Sequence, residues 1–145
     1  MKTKSLLKPV YLIPVIITSF IVVMAVCPGP YKDGDYEGIS RAKYIQEPYF
    51  GHVRIQVRNG HFSKVDFVIV DSLKNEVFDS SYQKYFTGNA LYMEQCRNDW
   101  KGVLYYPKRL MQTQNLEKVD AISGATWSYN IFRQSTIEAL KEACK

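Results

Sequence analysis

The stretch that decides the fold is His52–Arg58 (HVRIQVR), followed by the pair Asn59-Gly60 and the segment Phe62–Asp71 (FSKVDFVIVD). Apolar and polar residues alternate along the first segment, which is typical of a strand with one buried face. An Asn-Gly pair tolerates the positive φ angles of a tight turn. The second segment is rich in β-branched and apolar residues, which favour strands. Together these residues predict a β-hairpin.

Before the hairpin, the sequence predicts one further strand. Asp33-Gly34 predicts a turn. A strand is predicted to start within Asp35–Ile39, and Gly38 favours its end nearby. The N-terminal part of the domain is therefore expected to add a strand to the hairpin.

After the hairpin, the pattern is weaker. Between Val77 and Thr87 the aromatic residues have helical spacing, and Gly88-Asn89 interrupts them. The segment Leu91–Tyr106 is aromatic-rich, and its pattern leaves its secondary structure open. Since Pro107 breaks helices, we expect only a short helix, over Lys108–Gln114.

The C-terminal part predicts a loop and then a long helix. Val119–Thr126 is expected to form a loop or a short strand, and Ser128–Cys144 an amphipathic helix. The apolar or small residues of one helix face are Ile131, Phe132, Ser135, Thr136, Ala139, Leu140 and Ala143. The fold class is therefore predicted to be α+β, a mostly antiparallel sheet with packed helices. A small open barrel with a terminal helix is the alternative.

The first thirty residues differ from the rest of the chain. Met1–Lys8 is positively charged, Pro9–Val26 is apolar and without charge, and Cys27-Pro28-Gly29-Pro30 ends any helix. This order is typical of an export signal or a membrane anchor, and Cys27 leaves a lipidated N-terminus open. We expect residues 1–30 to be this segment and residues 31–145 to form one exported domain, secreted or membrane-anchored on the periplasmic or extracytoplasmic face.

Composition excludes several classes of protein. With 145 residues, 46% hydrophobic and 23% charged, the chain is an ordinary globular protein rather than a disordered one. Without the lysines of the first eight residues, three of 19 basic residues, the chain has only two more basic than acidic residues, so nucleic-acid binding loses its main support. The cysteines lack metal-binding spacing, and the sequence leaves open whether Cys96 and Cys144 pair.

The segment Asp120–Ser128 (DAISGATWS) is the most informative for function. It places small residues directly before the predicted terminal helix, whose first N–H groups and dipole attract anions. Hydroxyl donors are available from Ser123, Thr126 and Ser128. A phosphate-sized anion site is one interpretation, and a simple helix cap made by Thr126 or Ser128 is the other.

Three motifs resemble the FMN-binding domain family, found in the C-type subunit of the sodium-pumping NADH–quinone reductase, the G-type subunit of the Rnf complex, and small exported proteins. The first is Asp33–Gly38 (DGDYEG), similar to the family's DG-x-Y-x-G. The second is Gly51–Val57 with Asn59-Gly60 and Val65. The third and most specific is Asp120–Thr126 (DAISGAT), similar to D-x-x-S-G-A-T. The resemblance spans residues 31 to 144.

The resemblance implies a covalent flavoprotein. In such domains the last residue of the motif, here Thr126, carries FMN through a phosphoester bond that a flavin transferase makes from FAD outside the cytoplasm. The phosphate would be held by the preceding residues Ser123, Gly124 and Ala125. Asp120 would position the loop or the transferase's metal-bound substrate, and Ala121 stands where the family often has glycine. Trp127 would flank the flavin or pack in the core.

The implied function is that of an electron carrier rather than a substrate-transforming enzyme, working with redox partner proteins at the membrane. The sequence has no G-x-G-x-x-G motif after a strand for a dinucleotide. The alternative is a small membrane-anchored binding or scaffold domain of the same fold, with non-covalently bound FMN or none.

Overall fold

The predicted hairpin is present in the structure, a computed structural model that describes residues 30–41 and 47–144. Its strands, numbered in chain order, are β2 (Tyr49–Arg58) and β3 (His61–Asp71), paired antiparallel. Asn59 and Gly60 have φ angles of +55° and +75°, so the turn has the conformation that its residues predict.

Within the described ranges, the strands form one antiparallel sheet in the order β1-β2-β3-β4. Strand β1 (Gly34–Ser40) contains the strand predicted before the hairpin, and β4 (Glu76–Val77) is a two-residue addition to β3. The sheet is open, with β1 and β4 at its edges, and the barrel alternative is not observed. The α+β prediction is confirmed.

The Asp33-Gly34 signal has a tertiary role as well as a local one. The carboxylate of Asp33 accepts hydrogen bonds of 2.8 Å from the backbone N–H groups of both Asn59 and Gly60. These bonds hold the pKa of Asp33 below its usual value. The residue before β1 therefore fastens the hairpin turn.

The long helix α1 (Ala90–Thr113) corrects the prediction for the middle of the chain. Instead of an unassigned segment and a short helix over Lys108–Gln114, one helix runs continuously through Pro107. Proline removes one backbone hydrogen bond, but here Pro107 is buried, and packing offsets that loss. Upstream, a short 3₁₀ helix (Tyr82–Phe86) takes up part of the aromatic segment with helical spacing.

The terminal helix α2 (Thr126–Ala143) begins two residues earlier than predicted. All seven residues of its predicted face are buried. Helix α2 packs on β1 and β2, and α1 packs on β3 and on α2. The segment Val119–Thr126, predicted as a loop or short strand, is loop up to Ala125, and a short 3₁₀ helix (Leu116–Lys118) precedes it.

The predicted export or anchor segment, residues 1–30, lies outside the described residues except for Pro30. Among the residues that the structure describes, no helix has the length and apolar character needed to cross a bilayer.

Candidate functional site

The residues of the loop before α2 differ in their exposure to solvent. Asp120, Ser123, Gly124 and Thr126 are exposed, whereas Ala125 is fully buried. Thr126 is the first residue of α2. Thr126 is therefore at the protein surface, at the point where the loop enters the helix.

Helix α1 fixes the shape of this loop. The hydroxyl of Tyr106 donates to the carbonyl oxygen of Ala125 over 2.8 Å, and the Gln95 side-chain amide donates to that of Gly124 over 2.9 Å. Gly124 has a φ angle of +77°, and a Cβ there would lie 2.9 Å from Asn98 Nδ2. The positive φ angle favours glycine at this position of the motif, and a side chain there would also displace the Asn98 amide.

The start of α2 is capped from α1 by a buried carboxyl group, that of Asp99. Its Oδ1 accepts from the Ser128 N–H at 3.0 Å and from the Ser128 hydroxyl at 2.9 Å, and its Oδ2 accepts from Gln95 at 2.6 Å. Burial raises the pKa of Asp99, opposed by these hydrogen bonds.

This cap differs from one interpretation of the sequence, a helix cap made by Thr126 or Ser128, because the acceptor at the start of α2 is Asp99. The residue preceding α2, Ala125, makes no side-chain cap. Ser128 is fully buried and its hydroxyl donates inside the protein, so Ser128 supports the loop instead of offering a hydroxyl to a bound anion. The sequence analysis missed Asp99. Its spacing from Cys96, Val103 and Tyr106 would have revealed a polar residue on an apolar helix face, had the segment been recognised as a helix.

We expect Asp99→Ala to lower the free energy of unfolding by about 2–3 kcal/mol, because it leaves the Ser128 N–H buried without its acceptor and restricts the Ser128 hydroxyl to the Ala125 carbonyl oxygen. Urea unfolding followed by circular dichroism measures the change. Glu94→Ala, at an exposed position of the same helix, is the control and should change it by less than about 0.5 kcal/mol. Equal effects of the two substitutions would contradict the assigned role of Asp99.

Beside this loop lies a cleft of about 380 Å³, mostly apolar and within the range of small-molecule sites. Its lining comes from β2 and the residue Glu47 before it, from Phe78 after β4, from the 3₁₀ helix Tyr82–Phe86, from α1 and from the start of α2. The residues are Glu47, Tyr49, Phe78, Tyr82, Phe86, Tyr92, Gln95, Cys96, Asp99 and Trp127. Trp127 directly follows Thr126, so this exposed threonine is one residue from the cleft wall.

The indole of Trp127 is held in place by residues from the sheet side of the cleft. Its Nε1 donates to Glu47 Oε2 over 2.8 Å, and its ring meets that of Tyr49 edge-on, with centroids 5.1 Å apart. The charged groups among the lining residues, Glu47 and Asp99, are acidic. A bound phosphate is therefore expected at the loop rather than inside the cleft.

Cys96 lies in the cleft wall, and burial raises the pKa of its thiol, so the thiol is kept in its unreactive protonated form. Cys96 is buried, whereas Cys144, which follows α2, is exposed.

A buried hydrogen-bonded network extends from the cleft to the β3–β4 turn. The hydroxyls of Tyr49 and Tyr82 are 3.0 Å apart, and Tyr82 donates to Asp71 Oδ2 at 2.5 Å. Asp71 is fully buried and also accepts from the Leu73 and Lys74 N–H groups and from the Lys74 ammonium. Burial alone would raise the pKa of Asp71, but the hydrogen bonds outweigh it and lower the pKa to about 2.

This network predicts an acid-sensitive contribution to stability. Because the pKa of Asp71 is lowered from 3.8 to about 2, its stabilising contribution is complete above pH 4 and is lost as the pH falls through 2. Urea unfolding at several pH values should show Asp71→Asn less stable than wild type near neutrality, with the difference shrinking between pH 4 and pH 2. A difference that stays constant over this range would contradict the prediction.

The structure brings together some of the residues predicted from sequence. Ala125, Thr126 and Trp127 lie at the junction of loop, helix and cleft. Ser123 and Gly124 are exposed beside them, and Asp120 is exposed at the far end of the loop. The sequence analysis missed the aromatic cleft itself, the supporting Gln95 and Asp99, and the loop-holding hydroxyl of Tyr106.

No model of a known protein family matches the chain, and no curated protein is significantly similar to it. Among solved structures, it is similar to the crystal structure of the CPE2226 protein from Clostridium perfringens, a structural genomics target. The identity is 28%, the TM-score is 0.55, and the alignment covers 78% of this chain and 88% of that one. The similarity extends over most of both chains.

Proposed function

We propose that this protein is an exported flavoprotein that carries FMN by a phosphoester bond on Thr126 and transfers electrons at the membrane or outside the cytoplasm. The observation that carries the proposal is the position of Thr126. This exposed threonine is the first residue of α2, and the next residue forms part of an aromatic cleft.

The residues present fit FMN in three respects. The aromatic cleft matches the planar isoalloxazine ring, which stacks on such side chains. The start of α2 offers the positive end of a helix dipole beside Thr126, where the phosphate would be attached. Gly124 is exposed and carries no side chain, which leaves the adjoining backbone accessible.

Attachment is a group transfer from FAD, made by a separate flavin transferase. The Thr126 oxygen forms a bond to the phosphorus of the FMN half, the pyrophosphate P–O bond breaks, AMP leaves, and the hydroxyl proton passes to a base of the transferase or to solvent. The exposed position of Thr126 suits access by that second enzyme.

In the loaded protein, the flavin supplies the electron-transfer chemistry. The chain's own residues have supporting tasks: Tyr106 and Gln95 fix the loop that carries Thr126, and Asp99 fixes the first turn of α2. Trp127, held by Glu47, keeps one wall of the cleft in position. The redox partners are expected to be proteins at the membrane, to which the N-terminal segment would attach this chain.

Co-expression of the full chain with a flavin transferase tests this function. We expect the intact mass to increase by that of FMN minus water, and a flavin-fluorescent band to survive on a denaturing gel. Peptide mapping should place the added mass on the peptide that contains Thr126.

The other outcomes distinguish the alternatives. If a control acceptor is modified in the same cells but this chain keeps its unmodified mass, covalent carriage is wrong. Reversible binding of added FMN by the unmodified protein would then indicate a non-covalent FMN protein. Absence of any binding would favour a membrane-anchored scaffold domain of this fold.

A further inference from the structure

The hydrogen bonds of Tyr82 and Tyr49 in the cleft define which way their hydroxyl protons point. Asp71 receives three N–H donors, one of them an ammonium, in addition to the Tyr82 hydroxyl. A carboxylate in this environment only accepts hydrogen bonds. The single hydroxyl proton of Tyr82 is therefore committed to Asp71.

The direction of the Tyr82 hydroxyl proton determines the direction of the Tyr49 hydroxyl proton. The two hydroxyl oxygens are 3.0 Å apart, which is a hydrogen-bond distance in which either could donate on geometry alone. Since the proton of Tyr82 points to Asp71, Tyr49 must donate to Tyr82. The Tyr49 oxygen then has acceptor capacity left and no proton to offer to the cleft.

Two other side chains of the cleft wall, Gln95 and Trp127, also donate their N–H protons to acceptors within the protein. Both amide protons of Gln95 are used, one by Asp99 and one by the carbonyl of Gly124. The indole N–H of Trp127 is used by Glu47. Gln95 and Trp127 therefore have no N–H group left to donate to a ligand.

We propose that the Tyr49 hydroxyl oxygen determines ligand specificity by accepting a hydrogen bond from a ring N–H on the edge of a planar heteroaromatic ligand, with Tyr82 and Asp71 as the positioning residues that keep it an acceptor. The ligand named here rests on the proposed function: oxidised flavin has one ring N–H, at N3. A ring edge with only acceptors would face the lone pairs of Tyr49 and be disfavoured.

The test is a cycle that combines one protein change with one ligand change. The protein carries Thr126→Ala, so that FMN and N3-methyl-FMN bind only reversibly, and Tyr49 is either kept or replaced by phenylalanine. Flavin fluorescence titration gives the dissociation constants. With Tyr49 present, we expect N3-methylation to weaken binding about tenfold, the size of one lost hydrogen bond. With Tyr49→Phe, methylation should have less than about a twofold effect.

Tyr92→Phe is the matched control, because Tyr92 also lines the cleft but its hydroxyl is outside this network. It should leave the tenfold methylation effect intact. Asp71→Asn removes the carboxylate that sets the direction of the protons, and it should reduce the methylation effect while urea unfolding shows that the protein is still folded.

The outcomes separate this inference from the proposed function. If FMN binds and methylation costs the same with Tyr49 as with Tyr49→Phe, the acceptor role is wrong while flavin carriage stands. If neither flavin binds and the co-expressed chain also lacks covalent FMN, the proposed function is wrong, and the ligand assigned to Tyr49 is wrong with it.

Discussion

Replacing Thr126 by alanine is expected to abolish covalent flavin attachment while leaving the fold intact. A phosphoester requires a hydroxyl oxygen on the chain, and alanine has none. Thr126 is exposed at the first position of α2, so the substitution removes little packing, and alanine is a better helix former than threonine. Intact mass and in-gel flavin fluorescence after co-expression with a transferase measure the loss, and urea unfolding should show stability within about 0.5 kcal/mol of wild type.

Two further substitutions make this result specific. Thr126→Ser keeps a hydroxyl at the same place and should retain attachment, though to a smaller extent if the transferase prefers threonine. Ser80→Ala removes an exposed hydroxyl outside the loop and should leave the covalent bond in place. A Thr126→Ala protein that still gains the FMN mass would disprove the attachment site, and mapping of the modified peptide would identify the true one.

The parts of the fold that could be predicted are those with local causes. The hairpin follows from alternation on both sides of Asn59-Gly60, and the positive φ angles of that pair confirm why it turns there. The buried face of α2 follows from residues spaced three and four apart, such as Ile131 and Ser135. Neither inference needed knowledge of distant parts of the chain.

Helix α1 could not be predicted because its cause is tertiary. Pro107 and a run of aromatic residues both argue against a helix locally, yet packing against β3 and α2 keeps it continuous. Because the helix was not predicted, residues that support the candidate site were not predicted either. Gln95, Asp99 and Tyr106, which hold the loop that bears Thr126, all belong to this helix.

The aromatic cleft could not be predicted from the sequence either, because its walls come from separate elements. Tyr49 is in β2, Phe78 follows β4, Tyr92 is in α1 and Trp127 is in α2. The Asp120–Thr126 motif identified the loop from sequence, and the structure adds the cleft that lies beside it. The motif therefore supplied the candidate attachment residue, while the tertiary fold supplies the environment in which a ring attached there would lie.

The contact between sheet and α2 predicts the largest loss of stability, from Gly38→Ala. A Cβ atom at Gly38 would lie 2.0 Å from the Ser135 carbonyl oxygen and 2.4 Å from the Ala139 backbone nitrogen. Both atoms belong to the helix backbone, so no side-chain rotation relieves the clash, and α2 must move off β1. We expect the free energy of unfolding to fall by about 3 kcal/mol, measured by urea unfolding.

Ile39→Thr is the control for this prediction, because Ile39 is the next residue of β1, lies on the opposite face and is 59% exposed. A β-branched replacement there should change stability by less than about 0.5 kcal/mol. If Gly38→Ala is no more destabilising than Ile39→Thr, α2 does not approach β1 as closely as described. Since the same helix begins at Thr126, a displaced α2 should also lower the yield of flavin attachment in Gly38→Ala, whereas Ile39→Thr should leave that yield unchanged.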